Sequence, residues 1–415
     1  MLRLPFLSRK TGENESFLTL DIGTDYVKCL VFEFSEHSPT KVQIKGVGKQ
    51  PIGYLYTRGG AIVDYTGVKE ACEIAVSEAL ATYDSKPTGV ILGLSGDMTK
   101  GLVTTVRLQR PEPEIPISEQ ELSKVISKIQ ETASLEALKG IAEMTGNPDL
   151  DISLTNSSIS SVKLDGNYVK DPLGLTGASL EIALFTAFSP SFHLKILQKL
   201  MKDLRLKILA VSSQMYSLSK LLCANDENSN MILIDVGGET TDVGIIFGGG
   251  IVATRTLSIG GRHVTRAISD TFSLSFSDAE ELKLRYSLNN LTTDESDRVF
   301  QCISGVLEIW VSGVELLFSD FDGVKTFPSK IYLVGGGSSL PDLPQIIEKE
   351  PWTRNIPFKE PPTFAKVAFS DLSAIVDMTG KVNALDDIMP ASLAEVFLEM
   401  KGVNVDLINY GKNWN

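Results

Sequence analysis

The stretch MILIDVGGETTDVGIIFGGG, from Met231 to Gly250, decides how this chain reads. An apolar, strand-like run ends on Asp235. Glycines, an acid and two threonines follow, and the apolar pattern resumes with Val243, Ile245, Ile246 and Phe247. A hairpin with a capping aspartate accounts for one such turn. A buried strand ending on an acid, before a turn with little apolar cover, also suits a ligand. Glycine permits a tight turn and lets N–H groups approach an anion closely. Gly237, Gly238, Thr240 and Thr241 supply that chemistry here. An acid beside a phosphate chain repels it unless a cation intervenes, so Asp235 implies Mg²⁺ held through water.

The same plan occurs earlier. LTLDIGTDYVKCLVF (18–32) and ILIDVGGETTDVGII (232–246) share strand, acid, glycine, hydroxyl and return strand. Asp21, Gly23 and Thr24 occupy the first turn, and Lys28 on the return strand can reach back as a mobile point charge. A third glycine run, YLVGGGSSLPDL (332–343), ends a strand and opens a helix. Gly335, Gly336, Gly337 and Ser338 there suit the close approach of a flat base or ribose. Two matched turns and this third run displace the plain-hairpin reading.

Bulk composition narrows the function class. The chain has 415 residues, too many for one simple core, with 43% hydrophobic and 22% charged residues. A formal charge of −13 argues against nucleic-acid binding, which needs a basic face. Cys29, Cys72, Cys223 and Cys302 are scattered and form no CxxC pair, as expected of a reducing compartment. Three histidines without clustered cysteine make a zinc site a poor fit. No apolar run is expected to reach the ~20 residues that span a bilayer. The head MLRLPFLSRK reads as a tail, with a weak membrane-surface anchor as the alternative.

Along the chain, SFLTLDIGTDYVKCLVFEF reads as strand, turn, strand, and GVKEACEIAVSEALATY (67–83) as an amphipathic helix. Prolines bar a helix until Pro116. Ser118, with Glu121 as capping-box partner, then starts one that is expected to end near Thr132. SSISSVKLDGNYV reads as a hairpin with an Asp-Gly turn. The block from Gly89 to Pro172 therefore looks like a small α+β insertion in a larger α/β frame. Beyond it, helical, strand and glycine-turn segments alternate up to one last helix in DIMPASLAEVFLEMKG.

This combination resembles the actin, sugar-kinase and heat-shock-chaperone ATPase superfamily, whose members grip ATP between two duplicated α/β lobes. The more specific resemblance is to the FtsA family of bacterial cell-division actin homologues, with PilM of type IV pilus assembly as second relative. It is carried by LSIGGRHVTRAISDTFSLSFSDAEELKLRY, DPLGLTGASLEIALFTAF, GLSGDMTKG and EIPISEQELSKVI. The resemblance implies an RNase H-like α/β fold with lobes around a nucleotide cleft. The expected division is a tail at 1–15, a first lobe at 16–88 and 173–210, and an FtsA-type insertion at 89–172. A second lobe follows at 211–402, with an inserted helical part at about 262–325, and then a tail at 403–415.

Carried onto this sequence, the resemblance assigns Asp21, Gly23, Thr24 and Lys28 to a first phosphate loop. Asp235, Gly237, Gly238, Thr240 and Thr241 form the second. Glu280 and Lys283 match a ribose- and adenine-contacting helix, and Gly335 to Ser338 the adenosine loop. Asp21 and Asp235 are the expected Mg²⁺ residues. The implied ligands are ATP and Mg²⁺. The implied partners are the FtsZ C-terminal peptide, further copies of the chain and a peripheral membrane contact, in the cytoplasm at the inner membrane face of the division site. Two departures stand out. The family's basic amphipathic C-terminal helix is not evident after EVFLEMKG. Gln214, the one candidate for orienting water, reads as a turn too early, so slow hydrolysis or binding alone is expected, and no catalytic residue is assigned. The alternatives are a PilM-like scaffold binding a membrane-protein peptide, and a small-molecule kinase, which lacks a convincing base.

Overall fold

The computed structural model describes residues 16–400, except 36–37, 95–97, 146–148, 170, 225, 227, 322–323, 350–351 and 383–384. The head and C-terminal tail discussed above lie outside the described residues.

The first hairpin is β1 (Ser16–Ile22) and β2 (Tyr26–Ser35), followed by β3 (Ser38–Pro51). A small ribbon, β4 (Thr57–Arg58) and β5 (Ala61–Ile62), leads into α1 (Tyr65–Leu80). Asp64 caps α1 by accepting the Gly67 N–H at 3.0 Å. β6 (Val90–Leu94) returns parallel to β1. The insertion comprises β7 (Lys100–Gln109), α2 (Glu119–Thr145), β8 (Ile152–Leu164), β9 (Asn167–Tyr168) and β10 (Ser179–Pro190). Then come α3 (Ser191–Asp203), β11 (Ile208–Ser213) and α4 (Gln214–Cys223).

The second half opens with β12 (Met231–Val236), β13 (Thr241–Phe247) and β14 (Gly250–Leu257). Three helices follow: α5 (Gly261–Phe272), α6 (Phe276–Ser287) and α7 (Thr293–Ser319). β15 (Lys330–Val334) leads through a 3₁₀ turn, Gly336–Ser339, to α8 (Leu343–Lys349) and α9 (Trp352–Asn355). The chain closes with β16 (Thr363–Lys366), β17 (Ile375–Asp377), α10 (Ile388–Ser392) and α11 (Ala394–Met400).

The long-range echo in the sequence is an echo of topology. One sheet runs β11-β6-β1-β2-β3-β17 and the other β14-β13-β12-β15-β16. In each, three antiparallel strands form one side, and the strand ending in the acid pairs in parallel with the next. This duplicated arrangement is an actin-like fold. Strands buried on both faces explain the near-continuous apolar runs at β1 and β12, all of whose residues except Ile22 are buried.

Several expected boundaries move. β6, assigned to the insertion, lies between β1 and β11 in the first sheet. β10, assigned to the first lobe, instead pairs with β7 and β8, so the inserted sheet reaches Pro190. β17 and the last helices, assigned to the second lobe, return to the first: β17 pairs with β3, and α10 and α11 join its core. Parallel and long-range pairings of this kind leave no local signature.

Two helices differ from expectation as well. α2 continues past Thr132 to Thr145, because Ala133 and Ala137 keep facing the sheet and pack with Phe188. Ser118 does cap it, accepting the Glu121 N–H at 3.2 Å, but the Glu121 carboxylate goes to Arg110 at 2.7 Å. α7 is, against expectation, long and apolar enough to cross a membrane by length and composition. Its buried face, including Ile303, Leu307, Trp310 and Val314, forms part of the second core with Ile232, Ile234 and Ile245.

Candidate functional site

The two equivalent hairpin turns face each other. Each closes with the same bond: the Gly23 N–H donates to Tyr26 O at 3.0 Å, and the Gly237 N–H to Thr240 O at 2.9 Å. These two N–H groups therefore hold the turns shut and do not point to a ligand, unlike the role read from sequence. The Gly238 backbone lies against the Thr24 and Asp25 side chains. The start of α5 braces the second turn, with the Gly261 and Arg262 N–H groups donating to Gly237 O and Gly238 O at 2.9 and 2.7 Å.

Asp21 and Asp235, far apart in sequence, form one electrostatic site. Both are buried, at 6% and 7% exposure. Burial raises the Asp21 carboxyl above its ordinary range, with Lys28 and the Gln214 amide opposing and Asp387 adding to the rise. Asp235 is pushed up to about 7, by burial first, then by Asp242 and Asp21, with Lys28 again opposing. Strand register sets their neighbours: Asp21 pairs with Lys28, whereas Asp235 pairs with the acid Asp242. Lys28 donates to Asp386 O at 2.6 Å, and Asp386 also holds Lys49 at 2.5 Å. Burial works against the Asp386 charge, but Lys28 and Lys49 outweigh it and lower its pKa.

Gln214 is better placed than its sequence position suggested. It opens α4, is 3% exposed, and lines a cavity with Asp235, Asp242, Thr254 and Thr256. Its amide lies near enough to Asp21 to steady the carboxylate, yet Nε2 closes no hydrogen bond among the described residues. The reading of a turn too early is corrected: β11 delivers the first residue of α4 directly to the carboxylate pair.

Other expected residues are committed to the protein itself. Thr241 is fully buried; its Oγ1 donates to Ile259 O at 2.7 Å and accepts Trp310 Nε1–H at 2.9 Å. Ser338 is also fully buried and donates to Gly335 O at 2.6 Å. Gly335 has φ +85°, and a Cβ there would lie 2.1 Å from Asp235 Oδ1, so this glycine lets the third loop pass the acid. Glu280 and Lys283 form a 2.8 Å ion pair on α6, and Lys283 also donates to Thr265 Oγ1 at 3.0 Å. Gly261 lies between Lys283 and Gly337, which gathers the α6 pair and the third loop at one end of the site. Thr24 and Thr240 are half-buried in the two turns.

Sequence reasoning missed one group. Arg262, in the polar segment GGRHVTRAI, is only 6% exposed. Its Nε contacts Asp25 Oδ1 at 2.6 Å, its NH2 donates to Thr24 O at 2.7 Å, and its NH1 lies 3.5 Å from Glu239 Oε1. Glu239 in turn accepts the Gly59 N–H at 2.7 Å. Tyr54 and Phe276 flank the guanidinium. Asp25 and Glu239 each stand four residues after the strand acid, so the repeat itself was the signal that could have paired them.

Comparison with known proteins places this architecture. Residues 232–373 match the family described as Cell division protein FtsA. Cell division protein FtsA of Neisseria meningitidis is 25% identical over 278 residues, covering 66% of this chain and 62% of that protein. The Bacillus subtilis protein of that name is 23% identical over 366 residues, covering 80% and 76%. Over shorter spans, the Helicobacter pylori protein is 31% identical over 124 residues, 25% of its length. The chain thus spans under two thirds of the length of the Neisseria and Helicobacter relatives. In three dimensions it resembles the solved PilM-PilN type IV pilus biogenesis complex, with TM-score 0.64, 18% identity, and 94% and 98% of the two chains covered.

Proposed function

We propose that this chain, a relative of the cell division protein FtsA on an actin-like fold, binds Mg-ATP between its two duplicated sheets and self-assembles to link the FtsZ division ring to the membrane. The observation that carries the nucleotide part is the buried Asp21–Asp235 pair at the ends of equivalent strands. Beyond burial, Asp242 and Asp21 both raise the pKa of the Asp235 carboxyl, and Lys28 is the opposing positive charge. That excess of negative charge, with oxygen donors throughout, fits a hard divalent cation. Among the described residues no three candidate metal ligands converge, so Asp21 and Asp235 would share the ion with water or phosphate.

In this reading Asp21 and Asp235 hold Mg²⁺, which neutralises phosphate charge when bound. Lys28 is the second neutralising group. Thr24, Gly238 and Thr240 line the phosphate turns; Glu280, Lys283 and Gly335 to Gly337 border the nucleoside end. Thr241 and Ser338 support the loops from behind. A ligand that touches both turns favours the closed arrangement of the sheets. Gln214 faces the carboxylates and orients water; hydrolysis is slow at most. Cytoplasmic placement at the inner membrane face of the division site accompanies the FtsZ-linked reading.

Titration of a fluorescent ATP analogue, with Mg²⁺ or with chelator, tests the nucleotide site. Binding should require Mg²⁺ and be lost in Asp235→Ala; unchanged affinity in that variant sinks the assignment. Co-sedimentation with lipid vesicles, with and without the FtsZ C-terminal peptide, tests the partner. Capture of a pilus membrane-protein peptide, and not of the FtsZ peptide, would replace the division reading with the scaffold one.

A further inference from the structure

Asn156 lies on β8 of the inserted sheet and is fully buried. Both ends of its amide grip the approach to α4. Oδ1 accepts the Ser213 N–H at 2.7 Å, and Nδ2 donates to Ser212 Oγ at 3.0 Å. Ser213 is the N-cap residue of α4, yet its own hydroxyl makes no capping bond. Its carbonyl accepts instead from the Ser212 and Ser217 hydroxyls, each at 3.2 Å. The cap is therefore held from outside the helix, by a side chain of another subdomain.

The next residue is Gln214. Its side chain packs against Gly93 on β6: a Cβ at Gly93 would stand 2.6 Å from Gln214 Nε2. The backbone before Gln214 is thus pinned by Asn156, and its amide packs against the Gly93 backbone of β6, the strand beside β1.

We propose that Asn156 is a positioning residue that sets Gln214 against the Asp21–Asp235 pair, so that the inserted subdomain governs ATP hydrolysis. This rests on the nucleotide reading above. In that hydrolysis the water oxygen bonds to the γ-phosphorus while the bond from phosphorus to the β–γ bridging oxygen breaks. The water proton passes to phosphate or solvent, and ADP and inorganic phosphate leave. Gln214 orients the water and takes up no proton. Asn156 touches neither water nor nucleotide and acts only through the geometry of the α4 N-terminus.

The test uses the full chain with Asn156→Ala, Gln214→Ala and the double variant. Three readouts are taken: amide exchange across residues 208–217 without nucleotide, Mg-ATP affinity, and single-turnover hydrolysis. Asn156→Ala should speed exchange at Ser213 at least tenfold, leave Mg-ATP affinity within threefold, and slow hydrolysis about as much as Gln214→Ala. The double variant should be no slower than Gln214→Ala. Unchanged exchange, additive losses, or a wild-type chain that binds Mg-ATP without turning it over would each overturn the proposal. A wild-type chain that binds no ATP defeats the nucleotide reading instead, and the exchange measurement still decides whether Asn156 pins the cap. If Asn156→Ala does not fold, Asn156→Thr occupies similar space without reaching the Ser213 N–H and is held to the same outcomes.

Discussion

Arg262 Nε lies 2.6 Å from Asp25 Oδ1, and the same guanidinium stands 3.5 Å from Glu239 Oε1. Asp25 and Glu239 are equivalent positions of the two repeated turns, so one cation at the start of α5 joins both halves of the duplication. Arg262 is buried and its two acids are only partly exposed, so removing the guanidinium leaves them partly uncompensated. Arg262→Ala should lower stability by about 1–3 kcal/mol. A double-mutant cycle with Asp25→Ala in urea should give coupling of at least about 1 kcal/mol. Additive single effects would show that the contact holds nothing.

Asp235 makes stability pH-dependent. Its carboxyl is raised to about 7 in the folded chain, from an ordinary 3.8. Between those values the folded state holds a proton that the unfolded state has lost, so this contribution is present at low pH and fades as pH rises towards 7. Asp235→Asn removes the burden of charging that carboxyl. Without nucleotide, the variant should gain on the order of 2 kcal/mol over wild type at pH 8, and little or nothing at pH 4. Urea midpoints measured across that range check this; parallel profiles would contradict it.

Lys28 opposes the raised pKa of both Asp21 and Asp235. Lys28→Met should weaken Mg-ATP binding at least tenfold, a loss of about 1.4 kcal/mol or more. It should also steepen the loss of stability towards alkaline pH. Isothermal titration at pH 7.5 decides the first outcome, and retained affinity would remove Lys28 from the site.

Thr241 separates support from contact. Its hydroxyl is shared between Ile259 O and Trp310 Nε1. Thr241→Val should cost about 1–3 kcal/mol, because it strands the half-buried Ile259 carbonyl and the buried Trp310 N–H. Mg-ATP affinity should stay within threefold. A large affinity loss in a fully stable variant would return Thr241 to the ligand side.

Gly335→Ala should be among the most damaging single-methyl changes. The added carbon would meet Asp235 Oδ1 at 2.1 Å at a residue with φ +85°. Strain and overlap together should cost at least about 2 kcal/mol, read from the thermal midpoint. A variant as stable as wild type would mean that the third loop moves freely past the acid.

Much of the site was legible because the repeat was. Asp21 and Asp235 each end an apolar run before a glycine turn, and local chemistry suffices to mark both. Arg262 was not legible, since GGRHVTRAI reads as a polar helix start until its partners are known. Gln214 was misjudged for a related reason: counting along α4 does not reveal that β11 runs straight into the carboxylate pair. Thr241 and Ser338 matched a pattern that says nothing of which way a hydroxyl turns.

By itself the sequence determined the strand-acid-glycine hairpins, their duplication, the glycine loop after β15 and the presence of an α+β insertion. These follow from periodicity and turn chemistry, which act over a few residues. Tertiary structure alone decided that β6 and β17 belong to the first sheet, that β10 belongs to the inserted one, and that Arg262 bridges the turns. It also decided that Asp235 is buried opposite Asp242 and near Asp21, all of which raise its pKa. Strand partners and neighbouring charges are chosen by packing between distant segments, and burial then makes those few charges count.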